Sequence, residues 1–253
     1  MCTLLILFRP DEKWPLIIAG NRDEMINRPW LSPGKHWPNF PNIIAGKDLT
    51  AGGSWLGINK YGLVSTILNR TNSLGPSNNK LSRGDIVIEI LKNKTIEEAL
   101  NYIKSIDNSQ WKAFNLFIAN NKSAYWIKST SKDKIRINPI SKGKYFLDSH
   151  DLNSDFSDRY KYNKDKFKIL KHPNPDNTQW DEWIKFLART NHPDNVPLAA
   201  MNINSKYKKN YGTISSALVA LPSDRSKNKK LDSIFLFNNT SPDKNNFYSI
   251  NTC

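Results

Sequence analysis

The strongest constraint on how this chain folds is a pair of apolar runs near its beginning. The first run is TLLILF, residues 3–8, and the second is LIIAGNRDE, residues 16–24. The segment between them, RPDEKWP, contains proline and charged residues, which is typical of a hairpin connection. In an antiparallel hairpin, the start of the first strand lies beside the end of the second. The sequence therefore predicts that Cys2 lies beside the polar residues 21–24 at one end of a sheet.

The rest of the chain divides into strand-like and helix-like segments. Strands are predicted at IIAGKD, SWLGI and LVSTIL, then at FNLFIAN, AYWIKS, KIRINPI and KYFLDS, and finally at GTISSALVALP, SIFLFNN and FYSIN. Helices are predicted at DIVIEILKN and TIEEALNYIKSI and near 157–171 and 179–190. The second of these begins with Thr95 and Glu98, which predict a capping box. The proline-rich segment 28–42 is expected to be a loop without regular structure. This order predicts an α+β fold, with helices covering antiparallel sheets, in a single domain over residues 1–253.

Composition excludes several classes of protein. Eight tryptophans in 253 residues argue against disorder. The two cysteines are Cys2 and Cys253, so a disulfide framework does not organise the fold. The first apolar run lacks the basic flank and the cleavage site of a signal peptide, and no stretch approaches the roughly 18 apolar residues of a membrane span. A cytoplasmic protein without stable membrane insertion is therefore expected.

The formal net charge of +14 suggests a nucleic-acid ligand. In the densest basic stretch, residues 158–172, the side chains of Tyr160, Phe167 and Leu170 fall near one helical face and the lysines fall largely elsewhere. That pattern is typical of a solvated amphipathic helix. We therefore expect no nucleic-acid partner, although the excess positive charge could attract an anionic small molecule.

Cys2 is the candidate nucleophile. Removal of Met1 would leave a thiol and a free α-amine on the same residue. The α-amine has a reference pKa of about 8, so it could act as a base close to neutral pH. The thiol is intrinsically nucleophilic, and a base on the same residue could take its proton. The alternative interpretation is that Cys2 is a small buried apolar residue, which is the more common role of a lone cysteine.

Polar residues at two predicted strand ends could complete such a centre. In the tetrapeptide NRDE, a carboxylate of Asp23 or Glu24 could hold the α-ammonium, and Arg22 could lower the thiol pKa and bind a carboxylate of the substrate. An ion-paired strand end is the alternative. Asn69 ends the strand GLVSTILN and is a plausible donor to an oxyanion, or else a turn residue. The expected substrate-binding residues are Asn21, Trp55, His150, Asp151 and Arg159.

The segment DSHDLNSDFSDR, residues 148–159, gathers several possible metal ligands. His150 is its only imidazole, and the four histidines of the chain show no paired ligand spacing. We therefore expect neither a metal nor a cofactor. The segment is either an Asx-rich helix start or a loop that faces the substrate.

Five segments taken together resemble the NRDE family, also called the transport and Golgi organisation family. They are MCTLLILF, AGNRDEMINRPW, AGGSWLGINKYGLVSTILNR, SRGDIV and YGTISSALVALP. The resemblance implies an N-terminal-nucleophile hydrolase fold, a four-layer αββα sandwich of two antiparallel sheets between helical layers. It also implies a distant likeness to the bile-salt hydrolase and penicillin V acylase group, in which a mature N-terminal cysteine attacks an amide.

Carried over by motif, Cys2 matches the nucleophile of that group. Asp23 or Glu24 matches the acidic partner of the amine, and Asn69 matches the asparagine on the oxyanion side. Ser149 stands where many family members have asparagine, and Arg22 lies one position from the arginine of the hydrolase group.

The resemblance leaves two functions open. The first is a hydrolase that acts on the C–N bond of a small acyl amide. The second is a non-catalytic protein on the same fold that binds haem or a lipid, in haem trafficking or in lipid and Golgi homeostasis.

Overall fold

The computed structural model describes residues 2–73, 75, 77, 79–204, 209–224, 231–244 and 247–252. The chain divides into two compact units. The first comprises Met1–Asn27 and Lys142–Ile250, and the second comprises Arg28–Ser141 and Asn251–Cys253. Each unit is built on one antiparallel sheet. The single domain expected over the whole chain stays a prediction.

The described residues contain the following elements. The strands are β1 (Thr3–Phe8), β2 (Leu16–Met25), β3 (Trp30–Gly34), β4 (Ile43–Asp48), β5 (Leu56–Asn59), β6 (Val64–Asn69), β7 (Phe114–Ala119), β8 (Ala124–Ser129), β9 (Arg136–Pro139), β10 (Gly143–Leu147), β11 (Tyr211–Leu221), β12 (Ile234–Asn238) and β13 (Tyr248–Ser249). The α-helices are α1 (Arg83–Leu91), α2 (Ile96–Ser105), α3 (Asp158–Ile169) and α4 (Asp181–Leu187). None of these helices combines the length and the apolarity needed to cross a bilayer.

The sheet of the first unit has six strands in the order β10-β1-β2-β11-β12-β13. β1 pairs with β2 so that Thr3 lies opposite Asn21 and Phe8 lies opposite Leu16, which confirms the predicted hairpin. Every residue of β1 is buried. A short run that is apolar at consecutive positions suits a strand that is buried on both faces, and β1 occupies such a position between β10 and β2.

Helices α3 and α4 cover one face of this sheet. Phe167 of α3 and Trp183 of α4 share a buried cluster with Leu5 and Ile17. Side chains alternate between the two faces along a strand. The face that carries Leu5 and Ile17 is called the helix face below, and the opposite face, which carries Leu4, is called the Cys2 face.

The sheet of the second unit has seven strands, each paired with the next along the chain from β3 to β9. Helices α1 and α2 pack on it through a buried cluster that includes Ile86, Ile103 and Leu116. The capping box of Thr95 and Glu98 predicted for α2 is present. A tight turn joins β5 to β6, and Gly62 has a φ of +83° in it. Together the two sheets and the four helices confirm the α+β class.

The loop predicted for residues 28–42 is wrong in part, because β3 lies within it. β3 is the edge strand of its sheet, and its pairing with β4 shifts register between Leu31 and Gly34. Pro33 falls in that irregular stretch. Proline has no N–H group to give to a ladder, so an edge strand with a register shift is where it can be accommodated.

Two neighbouring glycines of the second unit are required for different reasons. A Cβ on Gly53 would lie 2.3 Å from the main-chain carbon of Gly84, where the β4–β5 connection crosses the start of α1. Gly52 has a φ of +80° and open space around it. Only the first position therefore depends on the close approach of two backbones.

Replacing Gly53 with alanine is expected to lower the free energy of unfolding by about 3 kcal/mol, because main-chain atoms cannot rotate away from the added methyl group. Gly52→Ala is the matched control. It should cost only about 1–2 kcal/mol, for left-handed backbone strain. Urea unfolding of both variants measures the difference. Equal losses would show that the crossing tolerates a methyl group.

Candidate active site

The candidate active site lies at the end of the first unit's sheet where Cys2 precedes β1. Because Thr3 pairs with Asn21, the next position outward brings Cys2 beside Arg22. The Cys2 thiol is half-buried, and its Sγ donates to the main-chain carbonyl oxygen of Asp23 at 3.8 Å. The predicted adjacency of Cys2 and the NRDE segment is therefore confirmed.

Four polar residues follow one another across neighbouring strands at this end of the sheet. Ser215 of β11 pairs with Arg22 of β2, Cys2 precedes β1, and Ser149 lies two residues beyond the end of β10. The side chains of Arg22, Ser149 and Ser215 are all at least 95% buried, and only Cys2 is half-exposed. By strand alternation Cys2 and Arg22 belong to the Cys2 face, and Ser215 shares that face because it pairs with Arg22.

A buried ion pair lies on the helix face of the same strand ends. The guanidinium Nη1 of Arg159 is 2.8 Å from Oδ2 of Asp23, and both side chains are 0% exposed. Arg159 also donates to the hydroxyl of Thr3, and Thr213 Oγ1 donates to Asp23 Oδ1 at 2.6 Å. One network therefore joins the ends of β1, β2 and β11 to the first turn of α3. Sequence reasoning missed Thr3 and Thr213, because threonine in a strand carries no signal of such a partner.

Asn21 is likewise engaged within the protein. Its Nδ2 donates to the main-chain oxygens of Leu187 and Met201, both at 2.9 Å, and its Oδ1 accepts from Ser216 Oγ at 2.6 Å. Both amide hydrogens and the amide oxygen are thus used to tie β2 to the end of α4 and to β11. Glu24 is half-buried, and its Oε1 accepts from the main-chain N–H of Met25.

The segment before α3 is an Asx-rich helix start, one of its two predicted interpretations. Ser157 caps the helix and donates to Asp148, which also accepts from the main-chain N–H of His150. Although burial alone would raise the pKa of Asp148, the hydrogen bonds from His150 and Ser157 hold that pKa below its usual range. His150 and Asp151 are half-buried. In the described ranges, no three His, Cys, Asp or Glu residues are grouped so that they could hold a metal ion.

Asn69 and Trp55 belong to the second unit. Asn69 is the last residue of β6, is half-buried, and pairs with Phe114. The Trp55 ring packs edge-to-face against Trp30, with 5.7 Å between centroids. It also covers Gly46, where a Cβ would lie 2.3 Å from the ring. Trp55 is half-exposed.

The groups around the Cys2 thiol shift its pKa in opposite directions. Burial raises the pKa of the thiol above its ordinary value, and the charge of Asp23 acts in the same direction. The positive charge of the chain's amino terminus and that of Arg22 lower the pKa in part. Burial is the largest of these effects, so the thiol pKa stays above its ordinary value.

The fold is that of N-terminal-nucleophile-hydrolase-like structures. An N-acylethanolamine-hydrolyzing acid amidase ortholog from Caenorhabditis elegans has a TM-score of 0.56 at 13% identity, and the alignment covers 92% of this chain and 98% of that one. A cysteine-to-alanine mutant of conjugated bile acid hydrolase from Clostridium perfringens has a TM-score of 0.53 at 12% identity, covering 99% and 92%. At such identities the likeness shows the fold alone.

The chain belongs to the Transport and Golgi organisation 2 family, whose sequence model matches residues 1–231. The human Transport and Golgi organization protein 2 homolog is 33% identical over 135 residues, which are 49% of this chain and 47% of that protein. The Drosophila melanogaster protein is 34% identical over 111 residues, 40% of this chain and 38% of its own length. The chain thus spans about half or less of the length of the curated relatives it matches. The family resemblance is confirmed.

Proposed function

We propose that this protein hydrolyses the C–N bond of a small acyl amide and that the Cys2 thiol, freed by removal of Met1, is the nucleophile. One observation carries the proposal: Cys2 is half-exposed directly before a central strand, with Arg22 beside it and its Sγ 3.8 Å from the main-chain oxygen of Asp23. The hydrolase names of the two structural neighbours support the same chemistry. The cytoplasmic location, expected because no signal peptide or membrane span is predicted, is part of the proposal.

The reaction needs one base, and the α-amine of Cys2 can supply it. The amine takes the thiol proton while the sulfur bonds to the amide carbonyl carbon, whose oxygen becomes an oxyanion. The C–N bond then breaks, the nitrogen takes the proton back from the α-ammonium, and the amine leaves a thioester on Cys2. Water attacks the thioester and gives a proton to the α-amine. The C–S bond breaks and the sulfur takes that proton from the α-ammonium, which releases a carboxylic acid and restores both the thiol and the free amine.

The neighbouring side chains have distinct parts in this proposal. Arg22 favours the thiolate, because its positive charge lowers the thiol pKa. Asp23 is the carboxylate whose charge acts on Cys2, so we propose that it stabilises the α-ammonium while its side chain is held by Arg159. Since Asn21 and Arg159 are engaged within the protein, we assign them to support of the strand ends. Trp55, His150 and Asp151 stay candidates for substrate contact.

A non-catalytic ligand-binding protein is the second candidate, and one observation favours it. Burial raises the pKa of the Cys2 thiol, which works against formation of the thiolate. The curated relatives are named for transport and Golgi organisation. On this account the Cys2 face binds haem or a lipid and no amide bond is broken.

Asn69→Ala is expected to lower amide hydrolysis by about a hundredfold or more, if its side-chain amide donates to the oxyanion as the motif resemblance implies. The measurement is kcat/KM for release of p-nitroaniline from acyl p-nitroanilides. Asn120→Ala is the matched control, because Asn120 follows β7 in the same sheet and its Oδ1 accepts from the turn N–H groups of Lys122 and Ser123. If both variants lose only stability, Asn69 is a turn residue.

A further inference from the structure

A bulge in β11 turns Ser215 toward the Cys2 face. Thr213 pairs with Asp23 and bonds its carboxylate on the helix face, and Ser216 pairs with Asn21 and bonds its amide on that same face. Strict alternation would put Ser215 on the helix face with Thr213. The register shift between Thr213 and Ser215 reverses this and sets Ser215 directly opposite Arg22. Bulges beside active sites commonly re-aim a side chain in this way.

The hydroxyl of Ser215 is buried without a protein partner. The residue is 1% exposed, and its Oγ has no hydrogen-bond partner within the described part of the chain. Its neighbours Thr213 and Ser216, on the other face, each have a well-placed partner. A buried hydroxyl left unpaired destabilises a protein, so an orphaned one calls for an explanation. A hydrogen bond made to a bound molecule is the explanation that its place beside Arg22 favours.

We propose that Ser215 hydrogen-bonds an oxygen-bearing group of the substrate and thereby selects among acyl amides, an inference that rests on the proposed function. Neighbouring strands lie about 4.8 Å apart, which puts the backbones at Cys2 and Ser215 roughly 10 Å apart. The attacked carbon lies about 3–3.5 Å from the sulfur, and a hydrogen bond spans about 2.8 Å. The group that reaches Ser215 therefore lies about three to five bonds from the attacked carbon.

The positive charge of Arg22 between the two positions favours an anionic oxygen, so the group we infer is a carboxylate. The geometry allows this carboxylate to lie on either side of the amide bond. Since Ser215 is buried, the carboxylate must displace the atoms that cover the hydroxyl. The substrate class is thus an amide of an amino acid or an amide of a dicarboxylic acid.

Two pairs of probes test this inference. N-octanoylglycine and N-propyloctanamide differ in a carboxylate on the amine side, and glutaryl and hexanoyl p-nitroanilide differ in a carboxylate on the acyl side. For each pair we would measure the ratio of kcat/KM in the parent, in Ser215→Ala and in Ser65→Ala. Ser65 is the matched control, because it is another strand serine, 0% exposed, whose Oγ has no partner among the described residues.

Ser215→Ala is expected to reduce the kcat/KM preference for the carboxylate probe by roughly three- to tenfold in one pair. The pair that responds shows whether the carboxylate lies on the amine side or on the acyl side of the amide bond. Ser65→Ala should leave both ratios unchanged. An equal loss on both members of each pair, with a lower Tm, would show a structural role and overturn the inference. Unchanged ratios in Ser215→Ala would overturn it too, and the proposed function would stand if the parent hydrolyses the probes.

A binding measurement distinguishes failure of the proposed function from failure of the inference about Ser215. Calorimetry measures the dissociation constants of the same probes for Cys2→Ala and for Cys2→Ala/Ser215→Ala. The ratio of dissociation constants within each probe pair is then compared between the two variants. If the parent hydrolyses no probe, the proposed function fails for these amides, and the binding ratios still decide the role of Ser215. Absence of binding to either carboxylate probe by Cys2→Ala overturns the inference.

Discussion

Replacing Asp23 with alanine is expected to lower the free energy of unfolding by about 3–5 kcal/mol, because it leaves the guanidinium of Arg159 buried without its carboxylate. Both side chains are 0% exposed and lie 2.8 Å apart. Thr213 loses the acceptor of its 2.6 Å hydrogen bond in the same change. Water cannot replace the lost carboxylate unless the strand ends separate from α3. Urea unfolding at pH 7 measures the effect.

The matched control is the exposed pair of Asp155 and Lys164. Their charged groups are 2.7 Å apart, but the side chains are 65% and 29% exposed. Asp155→Ala should therefore change the free energy of unfolding by no more than about 1 kcal/mol. Replacing both buried partners, as Asp23→Leu with Arg159→Met, should recover much of the loss. Equal effects of Asp23→Ala and Asp155→Ala would show that the buried pair does not hold the strand ends.

Replacing Cys2 with serine is expected to lower amide hydrolysis by roughly a thousandfold or more, since removing a nucleophile disables the covalent route. Serine keeps the size of the side chain and a hydrogen-bond donor toward the main-chain oxygen of Asp23. Its hydroxyl is a much weaker nucleophile when the only base is an amine. The free energy of unfolding should change by less than about 1 kcal/mol. Turnover of acyl p-nitroanilides and urea unfolding test the two statements.

The ligand-binding alternative predicts a different outcome for the same variant. Affinity for haem or a lipid should then be nearly unchanged in Cys2→Ser, unless the thiolate itself coordinates haem iron. A parent protein without turnover on any amide probe, and a variant that binds the ligand as the parent does, would favour that alternative.

The placement of Cys2 beside NRDE could be predicted from the sequence, because a short hairpin connection leaves few registers open. Thr3 opposite Asn21 follows from pairing the two apolar runs. Local signals also sufficed for the capping box at Thr95 and Glu98. Both features depend on residues that are close in the chain.

The buried ion pair could not be predicted, because its partners are 136 positions apart. The pattern of residues 158–172 predicted a helix with one apolar face, and Phe167 is buried there as expected. Nothing in that pattern shows that Arg159 shares the buried face and meets Asp23. Tertiary packing alone supplies the carboxylate that makes its burial tolerable.

The bulge that turns Ser215 could not be predicted from the sequence either. TISS contains neither a glycine nor another residue that marks a bulge, so alternation alone gives the wrong face for Ser215 relative to Thr213. For a related reason, the sequence does not predict the strand β3. Its proline is a valid signal against a central strand, but an edge strand with a shifted register accepts it.

The proposed hydrolysis depends most directly on whether a mature N-terminal Cys2 reacts as a nucleophile. Intact-mass spectrometry of the native protein, before and after a thiol-reactive acyl probe, measures this, with Cys2→Ala as the blank and peptide mapping to separate Cys2 from Cys253. If Cys2 is the nucleophile, the protein has a mass without Met1 and gains one acyl group on Cys2, which the blank does not gain. A retained Met1 with Cys2 unmodified would contradict the proposed hydrolysis.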